Sequence, residues 1–248
     1  MAAHEPEAAS SVTSVRTPWP ADFPEVVVHT TVKLRDGHAD YAAAKSGQRE
    51  AAVRIACDLV SGAAVADIRD RIGGHRPTIT PVRAIETTGI NLIPDAMGHE
   101  LGQRLGLPVT TALVQTNTVG HTRASGFHRL AFQPTFDGAV EPGGVYLLVD
   151  DHVGLGATLA NLRGHIESHG GRVILATTMC ASRNSEVLAL CATTLQALYE
   201  KHGEQLDSYW RENFGFGVDL LTEAEAGYLR RTPTLDAIRA GMAAARGQ

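Results

Sequence analysis

Cysteine is scarce in this chain: Cys57, Cys180 and Cys191 are the only three. They are too few and too scattered for a disulfide framework or a C-x-x-C metal site. Reduced thiols and a cytoplasmic setting are therefore the expectation. Long apolar runs are missing too. None approaches the ~20 residues that a membrane-crossing helix needs, so no membrane partner is expected. The first residues, "MAAHEPEAASSVTSVRTPWP", lack the basic start and apolar middle of a secretory signal. They are rich in Ala, Ser and Pro. Residues 1 to about 19 are expected to be mobile, within an N-terminal segment 1–24. An excess of positive charge is also lacking, with 22 Lys and Arg against 27 Asp and Glu and a net charge of −5. That argues against the broad basic footprint of a nucleic-acid binder. What is present is a chain of 248 residues, 44% hydrophobic and 20% charged. Those values suit a globular protein of one α/β domain with extensions, or two small domains.

The pattern along the chain changes near Pro77. Before it, "EVVVHTTV" reads as a strand. Ala52, Ile55, Ala56 and Leu59 recur at helical spacing, and "VADIRDRIGG" is a short helix closed by Gly73. After it, strand and helix alternate. "TITPVRAIE" is a strand and "TTGINL" a turn. "PDAMGHELGQRLG" is a helix with Pro94 in its first turn and Gly106 past its end. "LPVTTALV" is the next strand, and "GFHRLAF" suits one arm of a hairpin. "VYLLVD" is an unbroken apolar strand, as expected for burial on both faces. A helix carrying Leu159, Leu162 and Ile166 follows, and then the strand "GGRVILATT". This alternation predicts a parallel sheet covered by helices. The remainder is helical, with a capping-box pattern at Thr222 and Glu225. The aromatic cluster Tyr209, Trp210, Phe214 and Phe216 is expected to be core between the C-terminal helices and the sheet, with a base-stacking surface as the alternative.

The most informative stretch is "VYLLVDDHVGLGATLANLRGHI". A buried strand ends in two adjacent carboxylates and runs straight into a glycine loop. Ligands of open α/β sheets bind beyond the carboxyl ends of strands, where this loop lies. The start of the following helix favours an anion, and Gly154 and Gly156 let the main chain approach it. Asp150 and Asp151, by contrast, want donors or cations. A ligand with a sugar diol or Mg²⁺ at one end and a phosphate at the other satisfies both halves. A Walker A loop needs Lys-Ser/Thr after its last glycine, which is missing. A dinucleotide fingerprint needs a third glycine near Leu159 and would not set carboxylates before a pyrophosphate. A methyltransferase-type loop has one acidic residue nearer its first glycine, where His152 and Val153 intervene. "HELGQ" lacks the second His of a zinc motif. No G-x-S-x-G elbow is present. His165 and His169 read as exposed helix histidines rather than metal ligands.

"LLVDDHVGLGAT" resembles the phosphoribosyl-pyrophosphate signature of the type I phosphoribosyltransferases: four apolar residues, two acids, two further residues, and a short loop ending Gly-x-Thr. The resemblance implies an α/β fold, a Rossmann-like parallel sheet of the type I phosphoribosyltransferase kind with helices on both faces. N-terminal and C-terminal helical extensions flank it. It covers residues 77–182 as the core, leaves 25–76 as a candidate hood, and sets 183–248 apart as a C-terminal helical extension. By it, Asp150 and Asp151 meet the ribose, and Val153, Gly154, Leu155, Gly156, Ala157 and Thr158 hold the 5-phosphate. The turn at Thr87, Thr88 and Gly89 looks like the family's diphosphate loop. Residues 115–144 stand where the family has a flexible loop that closes over the substrate, and from there Arg123 would stabilise the leaving diphosphate. Mg²⁺ is the implied cofactor, held mainly by substrate oxygens and water, with Asp150 and Asp151 contributing indirectly.

The implied activity is displacement of pyrophosphate from phosphoribosyl pyrophosphate by a nitrogenous base or other nucleophile. The base is left unspecified, and a homodimer is compatible with the family. Two departures matter. His152 stands where an apolar or small residue is usual, and Gly154 and Leu155 replace small hydroxyl residues. Two donors to phosphate are thereby lost, each worth about 1.5–3 kcal/mol to a charged acceptor. They motivate two alternatives: a regulatory module that binds phosphoribosyl pyrophosphate or a nucleotide without turnover, and a hydrolase using water. An ordinary tight strand–helix turn is the plain reading.

Overall fold

The computed structural model describes residues 15–86, 89–119 and 125–247. The chain begins with β1 (Val27–Val28) and four helices, α1 (Leu34–Gly37), α2 (Tyr41–Lys45), α3 (Arg49–Leu59) and α4 (Gly62–Ile72). Then come β2 (Thr78–Pro81), the short pair β3 (Ile85–Glu86) and β4 (Gly89–Ile90), and α5 (Ile93–Leu105). β5 (Val114–Gln115), α6 (Gly126–Ala131) and β6 (Phe136–Asp137) lead into β7 (Val145–Val153), α7 (Ala157–Ser168) and β8 (Arg172–Ala181). Helices α8 (Ala192–His202), α9 (Glu204–Phe214), α10 (Glu223–Arg231) and α11 (Leu235–Arg246) complete the chain.

The main sheet is four-stranded, in the order β1-β8-β7-β2, and every pairing in it is parallel. All four strands therefore end on the same side. The apolar run of β7 behaves as its composition predicts: Leu147 and Val149 face one core, Tyr146 and Leu148 the other. Helices α3, α4 and α5 cover the first face with Ile55, Ile68, Met97 and Leu101. Helix α7 covers the second with Leu159, Leu162 and Ile166. The parallel α/β sheet with helices on both faces is thus present.

Several expectations change. β1 belongs to the sheet, and α3 and α4 share a core with Ile79, Leu147 and Leu175. The strand expected in "LPVTTALV" meets the sheet only as a one-residue bridge, Ile79 to Val109, before β5 turns away to pair antiparallel with β6. "GFHRLAF" is helix α6 rather than a hairpin arm. Ser125 caps it by accepting from the His128 N–H, and Leu130 is buried. The mobility expected of residues up to 19 does not extend to Arg16. Its side chain is 1% exposed and paired with Glu225, and the Arg163 guanidinium lies 4.4 Å from the Trp19 ring and 5.6 Å from the Phe23 ring, which pack edge-on against each other. Gly164 makes that crossing feasible, since any Cβ there would meet the Val15 carbonyl. The C-terminal helices form a third core with α6, centred on Trp210, Leu229 and Met242. The aromatic cluster lies there, with Trp210, Phe214 and Phe216 buried, so it is core as expected but among helices rather than against the sheet. His165 is buried and lies 3.1 Å from the Gly138 carbonyl, so it is not an exposed helix histidine. Among the described residues, no helix is long and apolar enough to cross a membrane.

Candidate functional site

A crevice of about 640 Å³ opens at the carboxyl ends of the main strands. Val82 and Ala84 enter it after β2, residues 150–159 at and after the end of β7, and Ala181 and Ser182 at the end of β8. Lys33, Leu34 and Tyr41 reach it from the segment after β1. This is where open parallel sheets collect their ligands, because the strand ends and the helix starts converge there.

β7 continues through both acids, which places Asp150 and Asp151 within the last strand turns rather than on a loose loop. Both line the crevice and are 7% and 8% exposed. Their environments differ. Asp150 Oδ1 accepts from the Asp151 N–H at 2.8 Å. Burial, and then the neighbouring Asp151 charge, pushes its carboxyl well above the usual carboxylate range. Burial also opposes charge on Asp151. The Lys45 ammonium, at 3.1 Å from Oδ2, outweighs it together with Asn91 and holds that carboxyl below its ordinary value. The pair thus sets a carboxyl whose charged form burial disfavours beside one whose charge Lys45 supports.

The loop behind the acids is built for close approach. Gly156 has φ of +87°, and a Cβ on it would lie 2.8 Å from Leu188 and 3.1 Å from Thr222. Only glycine adopts that geometry without strain. Gly156 also starts α7, and no side chain caps that helix. The first N–H groups of a helix have no intrahelical acceptor, and here they face the crevice lined by Ala157 and Thr158. The Arg129 guanidinium lies over Gly154, whose Cβ would be 2.7 Å from Nη1. Burial lowers the Arg129 pKa, yet a guanidinium remains charged at neutral pH. The Leu155 carbonyl, meanwhile, is held by the Thr222 hydroxyl. Thr222 is the N-cap of α10 and forms the full capping box with Glu225.

His152 faces β8: Nδ1 is 3.3 Å from Cys180 Sγ and Nε2 is 3.0 Å from Ser182 Oγ. Burial lowers its pKa and keeps the ring neutral, while burial pushes the Cys180 thiol up to about 11. The unusual histidine therefore ties the ends of β7 and β8 together at the crevice wall.

The structure brings together Asp150, Asp151, Val153, Gly154, Leu155, Gly156, Ala157 and Thr158. Thr87, Thr88 and Arg123 lie outside the described residues. Gly89 pairs with Glu86 in the β3–β4 ribbon and is not among the crevice-lining residues. Its missing side chain admits the Ser46 carbonyl, 2.8 Å from where a Cβ would be. Sequence reasoning missed Lys45, and it passed over Arg129 in favour of Arg123. The cations lining the crevice are Lys33, Arg35, Lys45, Arg129 and Arg183, against the acids Asp36, Asp150 and Asp151. That excess suits an anionic ligand.

The acid pair does not fit a resident divalent ion. The Lys45 ammonium already sits on Asp151, and Asp150 favours its neutral form. No group of three His, Cys, Asp or Glu side chains converges among the described residues.

No family model matches the chain. It is 45% identical over 233 residues to protein TraN of Escherichia coli, covering 94% of this chain and 52% of that protein. It is 36% identical over 152 residues to an uncharacterized protein of Haemophilus influenzae, covering 61% of this chain and 34% of that one. The chain thus spans about half the length of the first of these relatives and a third of the second. Among solved structures it is similar to adenine phosphoribosyltransferase from Rhodothermus marinus, at 13% identity and TM-score 0.32 over 52% of this chain and 79% of that one. UMP synthase from Leishmania donovani follows at 13% and 0.32, over 72% and 33%. Orotate phosphoribosyltransferase from Mycobacterium tuberculosis follows at 15% and 0.29, over 63% and 90%. TM-scores this low carry no argument, and the fold described above rests on this chain's own strand order and register. By sequence, the chain is similar across nearly its whole length to one half of E. coli TraN.

Proposed function

We propose that the crevice binds a phosphoribosyl compound and that the protein transfers the phosphoribosyl group from phosphoribosyl pyrophosphate to a nitrogenous base or another nucleophile. One observation carries the reading: at the end of β7, two adjacent carboxyls and an uncapped helix start line a single crevice. In this proposal Asp151 accepts from a ribose hydroxyl and Asp150 hydrogen-bonds its neighbour. The N–H groups of the loop and of the α7 start meet the 5-phosphate, with Arg129 closing over it. The incoming nucleophile forms a bond to the anomeric carbon, the bond to diphosphate breaks, and its electron pair leaves with the diphosphate. The ionised Asp151 stabilises positive charge on the ribosyl ring, and basic side chains of the crevice stabilise the departing anion. No step is routed through a metal.

A second reading, binding without turnover, draws on two observations. Gly154 and Leu155 offer the phosphate no hydroxyl, and Lys45 already neutralises Asp151. Incubation with phosphoribosyl pyrophosphate and a panel of bases, with pyrophosphate release measured, separates the readings. Release that needs a base supports transfer. Release without one points to hydrolysis, and saturable binding with no release supports the binding module. Asp151→Asn is expected to abolish binding or turnover while the far-ultraviolet circular dichroism stays unchanged. Wild-type behaviour of that variant refutes the site.

A further inference from the structure

We infer that Lys45 is a built-in cation of the crevice, occupying the place beside Asp151 where a divalent metal would neutralise the acid pair, so that the anionic ligand binds without a divalent ion. The inference rests on the reading that this acid pair meets a sugar phosphate, and it concerns what neutralises the pair.

The geometry of Lys45 is that of a placed group. It is the last residue of α2 and only 9% exposed, although a lysine so buried normally occurs only with a partner. Its Nζ lies 3.1 Å from Asp151 Oδ2 and 5.9 Å from the centroid of the Tyr41 ring. The backbone around it is pinned from two directions. The Leu92 N–H donates to the Ala44 carbonyl at 3.3 Å, and the Ser46 carbonyl packs where Gly89 has no side chain. Moving α2 away from the acids therefore breaks the Leu92–Ala44 hydrogen bond and the packing of Ser46 on Gly89. A divalent ion on Asp151 would share its oxygen with an ammonium a hydrogen bond away, and two cations at that spacing repel strongly. Two adjacent carboxylates in a crevice normally attract such an ion. Here one is already matched by a fixed positive charge, and Lys33, Arg129 and Arg183 also line the crevice.

Two measurements test this on the full chain. The first titrates the free protein with Mn²⁺ followed by electron paramagnetic resonance. Wild type is expected to leave the ion free, while Lys45→Met gains a site that Lys45→Met with Asp151→Asn loses again. Wild-type binding of Mn²⁺ that Asp151→Asn removes would overturn the inference, and so would a Lys45→Met protein that folds and binds none. Lys45→Arg keeps the charge and is expected to behave as wild type. The second measures phosphoribosyl pyrophosphate binding by calorimetry with Mg²⁺ and with excess EDTA. The Kd is expected to change by less than about threefold, and a weakening beyond about tenfold in EDTA overturns the inference. Absence of binding under both conditions refutes the proposed function, and the Mn²⁺ titration then decides the role of Lys45 alone.

Discussion

Arg16 with Glu225 and Lys45 with Asp151 are both buried ion pairs, and they differ in what surrounds them. Arg16 spends every donor on protein. It reaches both Glu225 oxygens, Gln133, Asn161 and the Leu220 carbonyl, with side chains 1% and 0% exposed. Its work is to clamp the N-terminal segment across α7 to the start of α10. Lys45 and Asp151 are each 11% exposed along their side chains and line an open cleft, beside a second carboxyl whose pKa burial raises. A pair whose capacity is exhausted within the fold is structural. A pair that lines an open cleft stands within reach of a ligand.

The sharpest way to break this contrast is to remove one partner from each pair. Arg16→Met strands Glu225 in a dry site and is expected to cost about 3–5 kcal/mol, as for other broken buried pairs. Lys45→Met is expected to cost only on the order of 1 kcal/mol, because crevice water replaces the ammonium at Asp151. Urea denaturation of both variants reads the difference, and equal losses would erase the distinction drawn here.

Acid probes a third buried group that has no counter-charge. The Ser61 N–H donates to His29 Nδ1 at 3.0 Å, which leaves Nε2–H to donate to Thr177 Oγ1 at 3.1 Å. Burial, then the Arg104 charge, lowers the His29 pKa from 6.5 to about 4. The unfolded chain thus binds a proton more readily than the folded one. Stability from this group is complete above the unfolded value and is lost as pH falls through the window down to about 4. At about 1.4 kcal/mol per pK unit, the loss is about 3 kcal/mol. Denaturation midpoints at neutral and acid pH measure it, and His29→Gln should flatten that part of the slope. A loss of about 1–2 kcal/mol is expected from Thr222→Val, which deletes the capping hydroxyl and the bond to Leu155. It should loosen ligand binding more than its stability loss explains, and unchanged affinity would show that the loop holds its shape unaided.

The readable parts of the molecule were those whose causes are local. The β7–α7–β8 unit announces itself through one apolar run, one acidic pair and two glycines within a short stretch, and the α10 capping box through two residues. Lys45 was invisible because its partner is 106 residues away, and an Ala-rich helix gives no hint of what its last lysine faces. Arg16 was hidden the same way, in a segment whose composition reads as unstructured while its acid lies 209 residues on. For α6 a signal did exist. The β-prone letters of "GFHRLAF" outweighed Ser125, a good N-cap directly before them, and with the helix went the position of Arg129. Gly89 looked like a ligand contact, but its freedom is used to let Ser46 pass.

Thr222 has a consequence for motion. The same hydroxyl starts α10 and grips the Leu155 carbonyl, so the glycine loop shares its fate with a helix far along the chain. Opening of that helix and solvent exchange of the amides at the α7 start should therefore occur on one clock, set by the C-terminal helices rather than by the sheet.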